Sequence, residues 1–591
     1  MNQPVEPAIR ARAVQAARGS ARFDLLLTGG VVVDVATGEL RAADIGIVGP
    51  LIASVHPTGT REDADAIEDV AGRFLAPGFI DSHLHYESSL MAPADYAAIV
   101  VPAGTTTCVW DPHELANVLG LEGVRWAIEA ARGLPLRTLI AAPSCVPSAP
   151  GLERAGAEIH AAEMAQMLAW PEVVGVAEVM DMAGVLRGTA HMAGIVGAGL
   201  ASGKNVNGHA RGLIEAELQA YATAGVSSDH EITAAEDFLQ KLRAGLTVEL
   251  RGSHDQVLPG AIAALATLPL LPPNLVLCTD DVFPDELVAK GGLRDTIARV
   301  VARGLSPISA IRLATLHAAM RLKRDDLGLI APGRRADIVV LSDLTSVAVD
   351  RVVVDGALVA RGGALLTPPT RHNISLPSSM HLAAQPEAAF RVRVEGVRDG
   401  HARLRKIIGS RFTRWGEVEV EVRNGYAIPP PGHAVLTIIH RHGKAEPLPQ
   451  TCFTDGWGEL RGAIATTIAH DSHNLLVLGS NTSDMAAAAN ALIAAGGGMA
   501  VAQGGAESGE VTALLPLPIA GLLATTPPWA TAEAFARLRT AADRVCDWKP
   551  PYRIFRGITG ISLACNQGPH LTDLGLTDGT TGEIFDPAEP L

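Results

Sequence analysis

Asp81-Ser82-His83-Leu84-His85 closes the apolar run Phe74-Leu-Ala-Pro-Gly-Phe-Ile80, and these residue types at this spacing are suited to holding a metal. Side-chain direction on an extended strand repeats every two residues, so His83 and His85 face the same side. Imidazoles placed where a buried strand emerges can share one first-row ion. Short His pairs also arise by chance, so the weight falls on polar groups later in the chain. Several of these end apolar runs of their own, and in order the set is His83, His85, Glu178, His209, His230 and Asp280. Such a set suits two divalent cations. Neutral imidazoles bind either ion, a carboxylate can bridge both, and an aspartate can ligate one while accepting a proton. His209 and His230 taken singly read equally well as interior histidines with satisfied hydrogen bonds. Glu178 is harder to set aside, because a carboxylate on an apolar strand costs several kcal/mol unless paired or metal-bound. Asp280-Asp281 is similar, with Asp281 equally suited to capping the next helix.

The elements that must position these groups alternate along the chain. Buried-strand signals occur at 79–80, 105–110, 137–142, 173–177, 205–208, 225–228, 246–250 and 275–279, and each runs into a polar residue except the third, which runs into Pro143. Segments 121–132, 157–169 and 234–244 between them have helical composition. Eight strand–helix units over about 250 residues predict an α/β fold, a (β/α)8 barrel at 74–330, with the polar strand ends on its active face. A doubly wound open sheet is the alternative, but no Gly-x-Gly-x-x-Gly follows any strand. Short β-segments at 23–73 and again at 331–366 predict one small β-domain built from both sides of the barrel. Residues 1–22 read as an N-terminal helical extension. Pro368, Pro369 and Pro377 mark a linker into an α+β domain at 367–591, with strands at 416–422, 434–440 and 474–479 and an Ala-rich helix at 483–495. Asp471, His473 and Asn474 precede one of these strands, where they suit either covering a cavity mouth or stabilising a tight turn.

With 591 residues, 48% of them hydrophobic and 19% charged, the chain is globular and exceeds a single core. A net charge of −15 argues against a nucleic-acid surface and gives no support for binding anionic membranes. The six cysteines lie far apart with no Cys-x-x-Cys, which fits a reducing cytoplasm and no thiolate metal site. No signal-peptide pattern is visible at the N-terminus. The charge-free stretches 257–278 and 511–530 each carry several prolines, so neither is expected to span a membrane.

The order His-x-His, Glu, His, His, Asp resembles the amidohydrolase superfamily. Longer strings are similar to the adenine deaminases within it: Pro77-Gly-Phe-Ile-Asp-Ser-His-Leu-His-Tyr-Glu-Ser-Ser89, Asp111-Pro-His-Glu-Leu-Ala-Asn-Val118, Ala177-Glu-Val-Met-Asp181 and Asn207-Gly-His-Ala210. The likeness continues in His470-Asp-Ser-His-Asn-Leu-Leu-Val-Leu-Gly479 and Leu515-Pro-Leu-Pro-Ile-Ala-Gly-Leu522, so it covers most of the chain from Phe23; residues 557–586 match the family pattern only loosely.

The resemblance implies hydrolysis of adenine to hypoxanthine and ammonia, in purine salvage, by hydroxide activated at a pair of manganese or iron ions, with zinc as an alternative. It also implies adenine and water as the only partners and a homodimer. By that likeness His83 and His85 hold one ion with Asp280, Glu178 bridges, and His209 and His230 hold the other. Asp111 and His113 fall near the substrate. Asp280 is then the proton carrier, and His113 oriented by Asp111 protonates N1, with Glu178 and Glu114 as the other candidates. Arg251 and Ser253, ending the seventh strand, are expected at the wall around the base. Glu87 suits a substrate contact and a cap equally. A cyclic amide hydrolase of the dihydroorotase or hydantoinase type would bridge its metals with a carboxylated lysine on the fourth strand, where this chain has Glu178; Lys204 precedes the fifth. A non-catalytic barrel scaffold would be expected to lack ligands that are all present here.

Overall fold

Gly78 divides the apolar run 74–80 into two strands with different partners. In the computed structural model, which describes residues 5–372, 374–410, 412–505, 508–548 and 554–591, Phe74–Pro77 pairs with Ile338–Asp343 and Phe23–Asp34. Phe79–Leu84 enters a separate sheet. The reason is crowding: a Cβ at residue 78 would collide with the Thr106 side chain, and the Gly78 N–H donates to Asp337 O at 2.8 Å. One continuous strand, as the apolar run suggests, is therefore not formed.

Eight parallel strands carry the polar ends: β1 (Phe79–Leu84), β2 (Thr105–Trp110), β3 (Arg137–Ala142), β4 (Val173–Val179), β5 (Asn205–Gly208), β6 (Ser228–Asp229), β7 (Thr247–Arg251) and β8 (Leu275–Cys278). β1 to β5 are hydrogen-bonded in sequence order, as are β6 to β8. Ser227 N donates to Val206 O at 2.9 Å beside β5, and Asp280 N to His83 O at 3.0 Å beside β1. The result is a barrel-like α/β arrangement, with additional sheets outside it. β6 is shorter than its apolar run because Gly225 takes φ +107°, outside the extended region. The helix expected from 157 starts only at Ala161, where the Glu163 carboxylate accepts the His160 N–H at 3.1 Å.

Outward-facing Val248, Leu250, Leu275 and Leu277 pack against Phe238, Leu258 and Ile297 of the surrounding helices. Such burial stabilises by about 25 cal/mol per Å² of apolar surface and holds the strand ends rigid. Asp81, on the same face as His83, accepts from Thr279 N at 3.0 Å and Thr279 Oγ1 at 2.6 Å, tying β1 to the exit of β8. Burial raises the Asp81 carboxyl to about 7.

Segments from both sides of the barrel share one nine-stranded sheet, in which Ile338–Asp343 is antiparallel to Phe74–Pro77. The C-terminal part forms another nine-stranded sheet covered by helix Thr482–Ala495, whose stop is Gly496 at φ +77°. Beyond the long helix Pro528–Val545 lies a three-stranded sheet, Pro569–Thr572, Gly575–Asp578 and Ile584–Phe585. This part docks over the polar strand ends. Arg154 donates to Asp573 Oδ2 at 2.8 Å, Thr572 Oγ1 to Leu152 O at 2.7 Å and Ala524 N to Leu90 O at 2.8 Å. Among the described residues no helix is long and apolar enough to cross a membrane.

Candidate active site

The six strand-end groups converge. His83 Nε2 and His85 Nε2 are 3.1 Å apart, and Asp280 Oδ1 lies 3.6 Å and 3.3 Å from them. Glu178 Oε1 is 3.8 Å from His83 Nε2 and 3.4 Å from His85 Nε2. Its other oxygen, Oε2, is 2.6 Å from His209 Nδ1 and 3.2 Å from His230 Nε2. The His230 ring also stacks on His83, centroids 4.3 Å apart, so it stands close to both sets. Every member is buried. Asp280 reaches inward because its backbone turns left-handed just after β8, at φ +57°, a strain of about 1–3 kcal/mol for a residue with a side chain.

These donors fit divalent cations. His85 Nδ1 lies 3.0 Å from Asp111 O and donates to that carbonyl, so Nε2 is the nitrogen turned into the cluster. Burial, with His230 and His85 beside it, pushes the His83 imidazole down to about 3, so it is a neutral donor. Ligand bonds of about 2.0–2.1 Å imply donor separations of about 3–3.4 Å, close to the His83–His85 spacing. Burial alone would raise Glu178, but His230, His209 and His85 outweigh it and hold the carboxyl well below its usual range. Ligand atoms of Glu178, His209 and His230 lie within 4.8 Å of one another, as do those of His83, His230 and Asp280. His209 Nε2 and His230 Nδ1, both buried, have no hydrogen-bond partner.

The cluster floors a cavity of about 120 Å³ whose other wall comes from the C-terminal part, including His470, Asp471, Met499 and Asn566. His113, Arg251, Ser253 and Asp280 all line it. The Arg251 guanidinium contacts Asp280 and pairs with Glu231 Oε1 at 2.6 Å. Asp111 is fully buried behind His113, with Oδ2 3.4 Å from Nδ1. Burial works against a charged His113, yet Glu114 and Asp111 raise its imidazole well above the ordinary value.

The geometry decides between sequence readings of Glu87, Glu114 and Asp281. Glu87 does not line the cavity: it accepts from Trp110 Nε1 at 2.8 Å and Leu115 N at 3.3 Å, fixing the start of helix His113–Leu119. Glu114 also stands behind the cavity, 3.6 Å from His85 Nδ1. Asp281 caps no helix. It lines the cavity and accepts from Ser88 Oγ, while helix Pro284–Lys290 starts without a side-chain cap. Of the polar trio before strand Leu475–Gly479, Asp471 faces the cavity. Asn474 instead holds the turn, accepting from Arg441 N at 3.2 Å and donating to Arg154 O at 3.0 Å. His470, Asn566, Arg211 and Glu231 line the cavity without having been singled out in the sequence. Arg211 and Glu231 come after metal-type histidines by two residues and one, a local signal that was available; Asn566 carried none.

No lysine lines the cavity among the described residues. Lys204 Nζ donates to Leu168 O at 2.6 Å and Val173 O at 2.7 Å, at the opposite end of β4 from Glu178.

Behind Asp471 sits Glu153, raised to about 8 by burial and by the Asp471 charge. Its folded proton is retained above the unfolded value, so its contribution is complete at low pH and is lost as pH rises toward 8. Glu153→Gln should therefore gain in Tm relative to the unsubstituted chain between pH 5 and 8, by about a pH unit's worth of linkage per pH unit. A Tm difference independent of pH contradicts this.

Sequence comparisons add to this geometry. Residues 74–359 match the family described as "Amidohydrolase family", and 410–583 match "Adenine deaminase C-terminal domain". "Adenine deaminase" of Klebsiella pneumoniae subsp. pneumoniae is 55% identical over 581 residues, 98% of this chain and 96% of that one. "Adenine deaminase 2" of Rhizobium meliloti is 55% identical over 579 residues, with the same coverage. "Adenine deaminase" of Moorella thermoacetica is 38% identical over 586 residues, 97% of each chain. The C-terminal match runs to residue 583, so residues 557–583 lie within the matched domain. The chain belongs to the adenine deaminases of the amidohydrolase family.

Proposed function

We propose that this chain hydrolyses adenine to hypoxanthine and ammonia in the cavity between barrel and second domain, with two divalent cations shared through Glu178. The observation that carries the reading is the division of the Glu178 oxygens, Oε1 toward His83 and His85 and Oε2 toward His209 and His230. Asp280 would complete the first set. Manganese or iron suits this nitrogen and oxygen donor set, with zinc as the alternative. Bound, the cations would supply a water acidic enough to act as nucleophile near neutral pH.

The chain's own groups divide the remaining work. A C6–O bond forms and the C6–N bond breaks; the attacking water gives up both protons, the first for the departing amine and the second, as C6=O forms, to restore the donor that has protonated N1. Asp280, at the cluster and on the cavity wall, takes the first and carries it to the amine. His113, oriented by Asp111, protonates N1. Arg251 and Ser253 bound the base, and the second domain keeps bulk water out. We read the eight strands as one closed (β/α)8 barrel, supported by the hydrogen bonds beside β5 and β1. The flanking β-domain is then 23–77 with 331–366, preceded by the helical extension and succeeded, from 367, by the second domain.

Protein purified after growth with manganese should contain about two transition-metal equivalents per chain. Incubated with adenine, adenosine and cytosine, it should release ammonia from adenine only. Near-zero metal, or release from cytosine or adenosine alone, overturns the reading.

A further inference from the structure

His113 stands between two domains. Its Nδ1 faces Asp111, and its Nε2 lies 3.7 Å from Asp471 Oδ1 and 3.8 Å from Glu114 Oε2. Of those two carboxylates only Asp471 lines the cavity. Asp471 is 1% exposed, is held by His470 Nδ1 at 3.2 Å and keeps Oδ2 without a hydrogen-bond partner. We propose that Asp471 is a positioning residue for deamination: from the second domain it fixes the His113 ring against the purine. This rests on the reading of His113 as the group that acts at N1.

The segment that carries Asp471 is anchored on several sides, as such a role requires. Arg441, fully buried, donates to His473 O at 2.6 Å, Ser379 O at 2.7 Å and Ala520 O at 2.9 Å. His470 N donates to Thr559 O at 2.9 Å, and Ser562 Oγ to His470 O at 3.0 Å. Asn474 ties the same turn to the barrel through Arg154 O. The segment on both sides of Asp471 is thus fixed to Arg441 and to 559–562 of its own domain, and to the barrel. Asp111, 3.4 Å from one ring nitrogen, and Asp471, 3.7 Å from the other, place a carboxylate on each side of the imidazole. With Asp471 removed, only the barrel side still orients it. A partner that orients a working imidazole is worth about 10- to 100-fold in rate, and about 1 Å of misplacement costs a similar factor. The second domain is therefore part of the catalytic apparatus as well as a cover.

The test uses the manganese-loaded full chain as wild type, Asp471→Asn, His113→Ala and the double variant. Asp471→Asn should lower kcat about 10- to 100-fold, with KM, metal content and calorimetric affinity for hypoxanthine near wild type. In the His113→Ala background it should add nothing further. An unchanged kcat, the same factor with and without His113, or loss of metal overturns the role. If Asp471→Asn melts far below wild type, Asp471→Ala with added formate decides: recovery of kcat only when His113 is present supports the role, and no recovery overturns it. A His113→Ala chain with wild-type kcat removes the reading of His113 itself. A slow His113→Ala chain beside a fast Asp471→Asn chain removes Asp471 alone.

Discussion

Asp280→Asn should fold, keep its metal and turn adenine over about 10³-fold more slowly. The amide preserves an oxygen 3.3–3.6 Å from the His83 and His85 nitrogens, so the donor count at the cluster is unchanged. What it lacks is the charge that Arg251 contacts and the ability to take a proton from the attacking water and deliver it to the amine. The left-handed turn at Asp280 and its N–H bond to His83 O involve only the backbone, which asparagine tolerates well. Turnover, metal content and a thermal melt on one preparation separate the effects. A kcat within tenfold of wild type removes the proton-carrying role; full loss of metal would make Asp280 chiefly a ligand.

Glu178→Gln should be as damaging by another route. Glu178 is the one side chain whose two oxygens serve different imidazole pairs, and an amide offers a single oxygen acceptor. It also withdraws the negative charge that five buried histidines, His113 among them, face, and breaking a buried charged set commonly costs about 3–5 kcal/mol. Metal per chain should fall from about two to about one or fewer, and kcat by about 10³-fold or more. Two equivalents retained with near-normal turnover would mean that the cations do not share this carboxylate.

Much of the site was legible because its signals are local. The parity of His83 and His85 needs only an extended strand, and Glu178 and Asp280 stand out because a carboxylate at the end of an apolar strand demands a partner. What stayed hidden depends on the path of distant segments. Gly78 divides the first apolar run because Thr106 and Asp337, from other strands, crowd it. Glu87 looks like any acid beside a metal histidine until Trp110 Nε1 and Leu115 N are seen to claim both its oxygens. Asp281 resembles a helix cap by sequence and is drawn instead to Ser88, close to two hundred residues away in the chain, into the cavity wall. The reach of His470 and Asp471 into the barrel comes from docking contacts such as Arg154–Asp573, which no periodicity encodes. The same docking explains why the cavity wall could be only half assigned from the sequence.

Crystals grown with manganese, measured at the manganese absorption edge, examine the shared-carboxylate centre most directly. Two anomalous peaks should appear, one on each side of Glu178, the first against His83, His85 and Asp280 and the second against His209 and His230. One peak, or none among these six side chains, would contradict the two-cation centre on which the chemistry is built.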